Sequence, residues 1–196
     1  MAKVLIRALP VGELQANSYI LNAEGSERAL LVDPGDDPER IKRALSSLNL
    51  SCECILLTHG HFDHVGAVKD LAADTDCKVF VHELEHTMPH TITAGKLYAT
   101  DGYADQISVA GMDISVLHTP GHTPGSVCLI IEDAMFSGDT LFAGSCGRTD
   151  LPGGDWATIQ NSLRSLKELC ADYRVFPGHG ESTTLIQEKQ LNPYMR

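Results

Sequence analysis

Short apolar runs rich in β-branched residues open the chain: KVLIRAL, NSYILNA and ALLVDPG, separated by Gly, Asn and Glu turn signals. They predict an antiparallel set of strands. Pro38 then starts a helical pattern that places Ile41, Ala44, Leu45 and Leu48 on one face. CECILLT follows as a buried strand running into a histidine-rich loop. From His64, HVGAVKDLAADT reads as a helix, KVFVH as a strand and ELEHT as a short helix. Pro89 to Tyr103 is rich in Thr and Gly and has no clear period.

The middle of the chain, QISVAGMDISVLHTPGHTPGSVCLIIEDAMFSGDTLF, alternates β runs with turns at Ala110-Gly111 and Glu132-Asp133, predicting a second antiparallel set. Beyond a Gly- and Pro-punctuated loop, DWATIQNSLRSLKELC carries Trp156, Ile159, Leu163, Leu166, Leu169 and Cys170 near helical spacing, with Asp155 placed to cap it. YRVFPG supplies a last strand and STTLIQEKQL a last helix, closed by Asn192-Pro193. Two strand groups bracketed by helices predict a layered α/β sandwich whose polar clusters gather at strand ends.

Composition narrows the setting. With 196 residues, 43% of them apolar, the chain suits one domain over residues 1–196. Its formal charge of −11 makes phosphate backbones and anionic lipid poor partners, so neither nucleic acid nor membrane is expected, and bound cations would offset part of the excess. No apolar stretch approaches the ~20 residues that span a bilayer, and MAKVLIRALPVGELQANSY lacks a signal peptide's apolar core and cleavage site. A soluble, cytoplasmic protein is therefore expected. Cys52, Cys54, Cys77, Cys128, Cys146 and Cys170 read as free packed thiols rather than a disulfide scaffold. Strand alternation is expected to put Cys52 and Cys54 on one face.

Five of the nine histidines and two aspartates fall in loops directly after apolar strands: LLTHGHFDH, VLHTPGHT, MFSGDTLF and VFPGHG. Neutral imidazole and carboxylate are the usual ligands of a catalytic zinc, and each ion needs about three of them plus a position for water. His59, His61, Asp63, His64, His122, Asp139 and His179 are enough for two such sites. His59 and His61 lie two apart in an extended loop and can point the same way, whereas Asp63 and His64 begin the following helix, so the segment can face two neighbouring ions. Asp33, at the end of LLVDPG, is a candidate acceptor for a ligand histidine N–H as well as a turn former. His82, His86, His90 and His118 read as solvated or packed side chains, while Tyr98 and Tyr103 are candidates to line a substrate cleft.

HxHxDH followed by TPGHT, GDT and PGHG resembles the metallo-β-lactamase superfamily over nearly the whole chain. The resemblance implies a four-layer αββα sandwich with the metals at one edge between the sheets. It also implies the ligand roles: His59, His61 and His122 on a first metal, Asp63, His64 and His179 on a second, and Asp139 on both. His61 stands where flavodiiron proteins carry Glu, and Asp139 where zinc β-lactamases have Cys or Ser, so neither branch matches well. THGHFDHVG, HTPGHTPGS and SGDTLF are most similar to the hydroxyacylglutathione hydrolases, or glyoxalase II enzymes, which cleave thioesters such as S-D-lactoylglutathione. SCGRTDLPGGD and TTLIQEKQLNPYMR resemble that family's short bacterial members, implying a chain that lacks the helical C-terminal domain of longer glyoxalase II enzymes. Those enzymes have a lysine, and a tyrosine two residues on, where Arg148 and Asp150 stand here. Arg148 is the candidate anchor for a substrate carboxylate.

The implied activity is hydrolysis of a small-molecule thioester, with attack by a hydroxide that bridges two divalent cations and is oriented by Asp63 as the catalytic side chain. Zinc is the expected metal, with iron and manganese as alternatives because such ligand sets overlap in preference. A rival reading is a persulfide dioxygenase, similar through SCGRTD, holding one iron on His59, His122 and Asp139. A further alternative is a non-catalytic metal-binding relative.

Overall fold

A computed structural model of the chain describes residues 3–75 and 77–196, with Asp74 described through its backbone only. Strands β1 (Val4–Val11), β2 (Ala16–Ala23) and β3 (Arg28–Val32) form the expected antiparallel start. Helix α1 (Pro38–Ser47) crosses over to β4 (Ser51–Leu56), which pairs parallel to β3. There follow α2 (Phe62–Val65), α3 (Val68–Thr75), β5 (Lys78–Val81), a 3-10 turn over Glu83–Thr87, α4 (His90–Thr93) and β6 (Asp101–Gly102). β5 and β6 extend the first sheet in parallel, in the order β1-β2-β3-β4-β5-β6.

The second sheet begins with β7 (Gln106–Val109), β8 (Met112–His118), β9 (Val127–Ile131) and β10 (Ala134–Gly138), paired antiparallel in sequence. A small hairpin, β11 (Leu141–Phe142) with β12 (Ser145–Cys146), precedes α5 (Trp156–Glu168). β13 (Arg174–Pro177) returns parallel to β10, and β14 (Thr183–Thr184) and α6 (Leu185–Leu191) complete the order β14-β13-β10-β9-β8-β7. Asp155 caps α5 as expected, accepting from the Thr158 N–H at 2.7 Å.

Alternation along the central strands sorts side chains into three cores. Ile20, Leu31, Ile55 and Val79 face α1 and α3, packing on Ile41, Leu45, Val68 and Leu71. Their neighbours Leu21, Leu30, Leu56 and Phe80 turn the other way, onto Ile114, Leu129 and Phe136 of the second sheet. Cys128, Met135 and Val175 then face Leu163 and Leu166 of α5 and Leu185 of α6. The layers therefore run helix, sheet, sheet, helix, the αββα sandwich expected. Each fully buried Leu or Phe contributes roughly 1.5–3 kcal/mol, so the sorting into three cores is energetically decisive.

Three local expectations change. The helix read from His64 is split in two, because the Ala67 N–H bonds to Pro34 O at 3.0 Å across the loop after β3 instead of continuing the helical ladder. The start of STTLIQEKQL pairs with β13 as β14 before α6 begins. Cys52 and Cys54 lie in different cores, not on one face: Ala29 pairs with Cys52 but Leu30 with Cys54, so Glu53 is an extra residue that flips the alternation. Among the described residues, no helix is long and apolar enough to cross a membrane.

Candidate metal centre

Loops from both sheets meet at one edge of the sandwich. β3 runs into Asp33, β4 into Thr58 to His64, β8 into the loop carrying His122, β10 into Asp139 and β13 into His179. Backbone bonds between the sheets fix these loops to one another. Val127 donates to Thr58 O at 2.9 Å, and Asn17 of β2 donates its N–H to Gly178 O at 2.7 Å. The Asn17 amide also donates to Pro177 O at 3.0 Å and Gly180 O at 2.9 Å, and the Tyr19 hydroxyl to Pro177 O at 2.6 Å. The first sheet thus holds the PGHG loop of the second.

All seven histidines and aspartates singled out from the sequence converge there. The ligand-capable atoms of His59, His61 and His122 lie within 4.8 Å of one another, as do those of Asp63, His64 and His179. Asp139 stands between the groups: Oδ1 is 3.5 Å from His64 Nε2, and Oδ2 is 3.5 Å from His122 Nε2 and 3.7 Å from His179 Nε2. Asp63 Oδ2 lies 3.2 Å from His179 Nε2.

Hydrogen bonds behind the rings fix how the imidazoles are presented. Thr58 Oγ1 donates to Asp33 Oδ2 at 2.6 Å, so its oxygen is left to accept from His59 Nδ1 at 3.0 Å. His64 Nδ1 bonds to the same carboxylate oxygen at 3.0 Å, and His122 Nδ1 bonds to the Arg148 carbonyl at 2.8 Å. With Nδ1 as the donor in all three rings, the neutral form of each has its Nε2 lone pair turned inward, as a metal ligand requires. Among the described residues, His59 Nε2, His61 Nε2 and Asp139 Oδ1 are buried with no hydrogen-bond partner. Such groups are rarely left so in a folded protein, and His59 Nε2 and Asp139 Oδ1 are suited to a bound cation. The donor set therefore fits divalent metals.

Charge divides the cluster into two unequal halves. Burial pushes the His59 imidazole well below its ordinary range and His61 down to about 3, with neighbouring histidines adding to the effect. His122 is lowered mainly by burial, against the pull of Asp139. The first group thus offers neutral rings at pH 7. In the second, burial is outweighed at His64 by Asp139, Asp33 and Asp63, which raise it to about 9. His179 is raised through its bond to Asp63. Burial opposes ionisation of Asp63, but His179 and His64 hold its carboxyl down to about 2.

The cluster floors a cleft of about 610 Å³ whose walls include Leu14, Phe62, Ile92, Phe142 and Leu151. Arg148 is the one Arg or Lys among the described lining residues, and its guanidinium is gripped by Asp150 through two bonds of 2.7 and 2.8 Å. Tyr98 and Tyr103 do not line this cleft: Tyr98 lies on another face, and the Tyr103 hydroxyl bonds to Leu57 O at 3.1 Å. His82 stacks on His118 at 4.2 Å, with no share in the cluster. Asp33 is both a turn former, at φ 48°, and the acceptor behind His64. Sequence reasoning missed Thr58 and Glu85. Thr58 carried a faint signal as the residue before His59; Glu85, in a turn after β5, carried none.

Comparison with known proteins agrees with this geometry. The sequence model of the Metallo-beta-lactamase superfamily matches residues 11–179. The chain is 34% identical over 208 residues to the probable metallo-hydrolase YqgX of Bacillus subtilis (strain 168), covering 96% of each. It is 33% identical over 207 residues to hydroxyacylglutathione hydrolase GloC of Haemophilus influenzae, covering 97% of each. Among solved structures, TTHA1623 in a di-iron-bound form superposes with a TM-score of 0.85 at 37% identity, covering 96% of this chain and 99% of that one. With two face-to-face sheets, five histidine- or aspartate-bearing loops at one edge and a match across most of its length, the chain belongs to the metallo-β-lactamase superfamily.

Proposed function

We propose that this protein is a binuclear metal-dependent thioester hydrolase whose substrate is a hydroxyacyl-glutathione or a closely related thiol ester. The observation that carries the reading is Asp139, whose carboxylate lies between two complete triads at the floor of an apolar cleft. The name of the GloC relative supports the substrate, and the di-iron form of TTHA1623 keeps iron beside zinc and manganese as candidate metals.

Two cations held by His59, His61, His122 and by Asp63, His64, His179, with Asp139 shared, would supply Lewis acidity and a water acidified to near-neutral pKa. The chain's own residues provide the rest. Asp63 faces the cleft as an ionised carboxylate, placed to accept a hydrogen bond from the attacking water and so orient it toward the thioester carbon. Phe62, Ile92, Phe142 and Leu151 give the acyl and thiol stems an apolar wall and restrict bulk water. Arg148 stands at the rim as the anchor for a substrate carboxylate, which has to compete with Asp150 for the guanidinium. A small-molecule partner in the cytoplasm suits the formal charge of −11 and the scale of the cleft.

A one-iron persulfide dioxygenase uses His59, His122 and Asp139 alone. It leaves the second triad and its Asp33 support without a role, and is not favoured. Elemental analysis joined to a lactoylglutathione assay tests the proposal. Two ions per chain with oxygen-independent thioester hydrolysis are expected, both lost in Asp139→Ala; unchanged turnover in that variant, or one iron with oxygen uptake, sinks it.

A further inference from the structure

Glu85 sits in the 3-10 turn after β5 and is fully buried, at 0% exposure, yet it is not among the seven clustered residues and lines no part of the cleft. Its carboxylate is fully engaged. Oε2 accepts from the Gly60 N–H at 2.6 Å, while Oε1 accepts from the Thr123 hydroxyl at 2.6 Å and the Gly125 N–H at 2.8 Å. Gly60 lies between His59 and His61, and Thr123 follows His122. One side chain therefore grips both loops of the first triad, by the backbone at Gly60 and Gly125 and by the hydroxyl of Thr123, and none of its bonds reaches the second. The seat is cut to fit: a Cβ at Gly60 would lie 2.8 Å from Oε2, and one at Gly125 would lie 2.6 Å from Oε1.

The two loops that Glu85 spans also meet directly, ring to ring. His61 Nδ1 and His122 Nε2, from loops of different sheets, face each other at 2.8 Å. His122 Nδ1 donates to Arg148 O, so His122 Nε2 presents a lone pair to His61. In the metal-free chain the His61 Nδ1–H donates to that lone pair and ties the loops together; a cation taking the lone pair would remove this bond, so the loop spacing then needs a restraint of its own. Three charge-assisted hydrogen bonds on one carboxylate, spanning both loops, supply that restraint.

We propose that Glu85 is the positioning residue of the first triad, fixing the distance between the His59–His61 loop and the His122 loop and so setting the affinity of the first cation site without touching it. The proposal rests on reading the cluster as a cation centre. The outer supports differ: Glu85 serves the first triad alone, whereas Asp33 serves the second directly through His64 and the first through Thr58 and His59.

The test is a competitive zinc titration of the full chain in two one-site backgrounds, His179→Ala to leave the first triad and His61→Ala to leave the second. Glu85→Gln, which turns an amide N–H toward one of the three donors, is expected to weaken zinc about 10–100-fold in the first background and to leave the second unchanged. Thr123→Ala, which removes one donor, is expected to weaken the first site several-fold, and Thr123→Ser to restore it. Equal loss in both backgrounds, or no loss in either, overturns the proposal and reduces Glu85 to a packing role. Should Glu85→Gln fail to fold, the Thr123 pair decides: a loss shared by Thr123→Ala and Thr123→Ser, or seen in neither, overturns it. A parent chain that binds no zinc at all defeats instead the reading of the cluster as a metal centre.

Discussion

Nδ1 of His64 lies 3.0 Å from Oδ2 of Asp33, and both side chains are buried at the edge where the sheets meet. The same carboxylate accepts from the Thr58 N–H at 2.7 Å and from the Thr58 hydroxyl, which in turn faces His59. An amide at this position accepts through one oxygen only and sets an N–H against another donor. Asp33→Asn is therefore expected to lower affinity for the second cation by about 10–100-fold, with a smaller loss at the first through Thr58 and His59. Stepwise titration against a chromogenic chelator measures both; full affinity at both sites refutes the relay.

The two sites should respond differently to pH. In the metal-free protein His64 is raised to about 9, so at pH 7 a cation entering the second triad displaces a proton from it. A raised imidazole stabilises the metal-free fold below its ordinary pKa, and that contribution disappears as pH climbs through about 9. Second-site affinity is thus expected to rise by up to roughly tenfold per pH unit from 7 toward 9 and then level off. His59, His61 and His122 are all lowered, so first-site affinity should stay nearly flat over the same range. Titrations at several pH values, with calorimetry in buffers of different ionisation enthalpy to count released protons, separate the two; parallel slopes contradict the assignment.

Asp150 takes two hydrogen bonds from the guanidinium of Arg148, the proposed anchor for a substrate carboxylate. Arg148 holds the Asp150 carboxyl down to about 2, so the pair stays intact as pH falls until about 2. Asp150→Asn releases the guanidinium. KM for a glutathione thioester is expected to fall by at most about fivefold, the scale of an exposed ion pair, while KM for an uncharged thioester stays constant. The gain should vanish at high salt. Equal shifts for both substrates would show that Arg148 does not meet the glutathione carboxylates.

The Gly178 backbone packs closely against the Asp139 carboxylate. A Cβ there would lie 2.2 Å from Asp139 Oδ1 and 2.7 Å from His64 Cε1. Gly178→Ala is expected to cost about 1–3 kcal/mol of stability through overpacking and to displace Asp139 from both triads. Thermal unfolding reads the first effect, and metal content after dialysis the second. A variant that keeps wild-type metal content places the close approach outside the centre's function.

Much of this was written locally along the chain. The apolar runs holding Ile20-Leu21, Leu30-Leu31 and Ile55-Leu56 marked strands that are buried on both faces; two such strand groups bracketed by helices implied a layered α/β sandwich, and the resemblance to the superfamily implied its four-layer order. The loops after those strands carried their histidines and aspartates in short motifs, so His59, His61, Asp63, His64, His122, Asp139 and His179 were legible before any coordinates. Side-chain periodicity and strand-end chemistry depend on neighbours in sequence. What depends on neighbours in space was not legible: the parallel return of β13 beside β10, the bulge at Glu53 that parts Cys52 from Cys54, the grip of Asp150 on Arg148, and the seat of Glu85 between two loops. Each is decided by which groups can satisfy their hydrogen bonds or fill space once the sheets have closed, and that balance exists only in the packed structure.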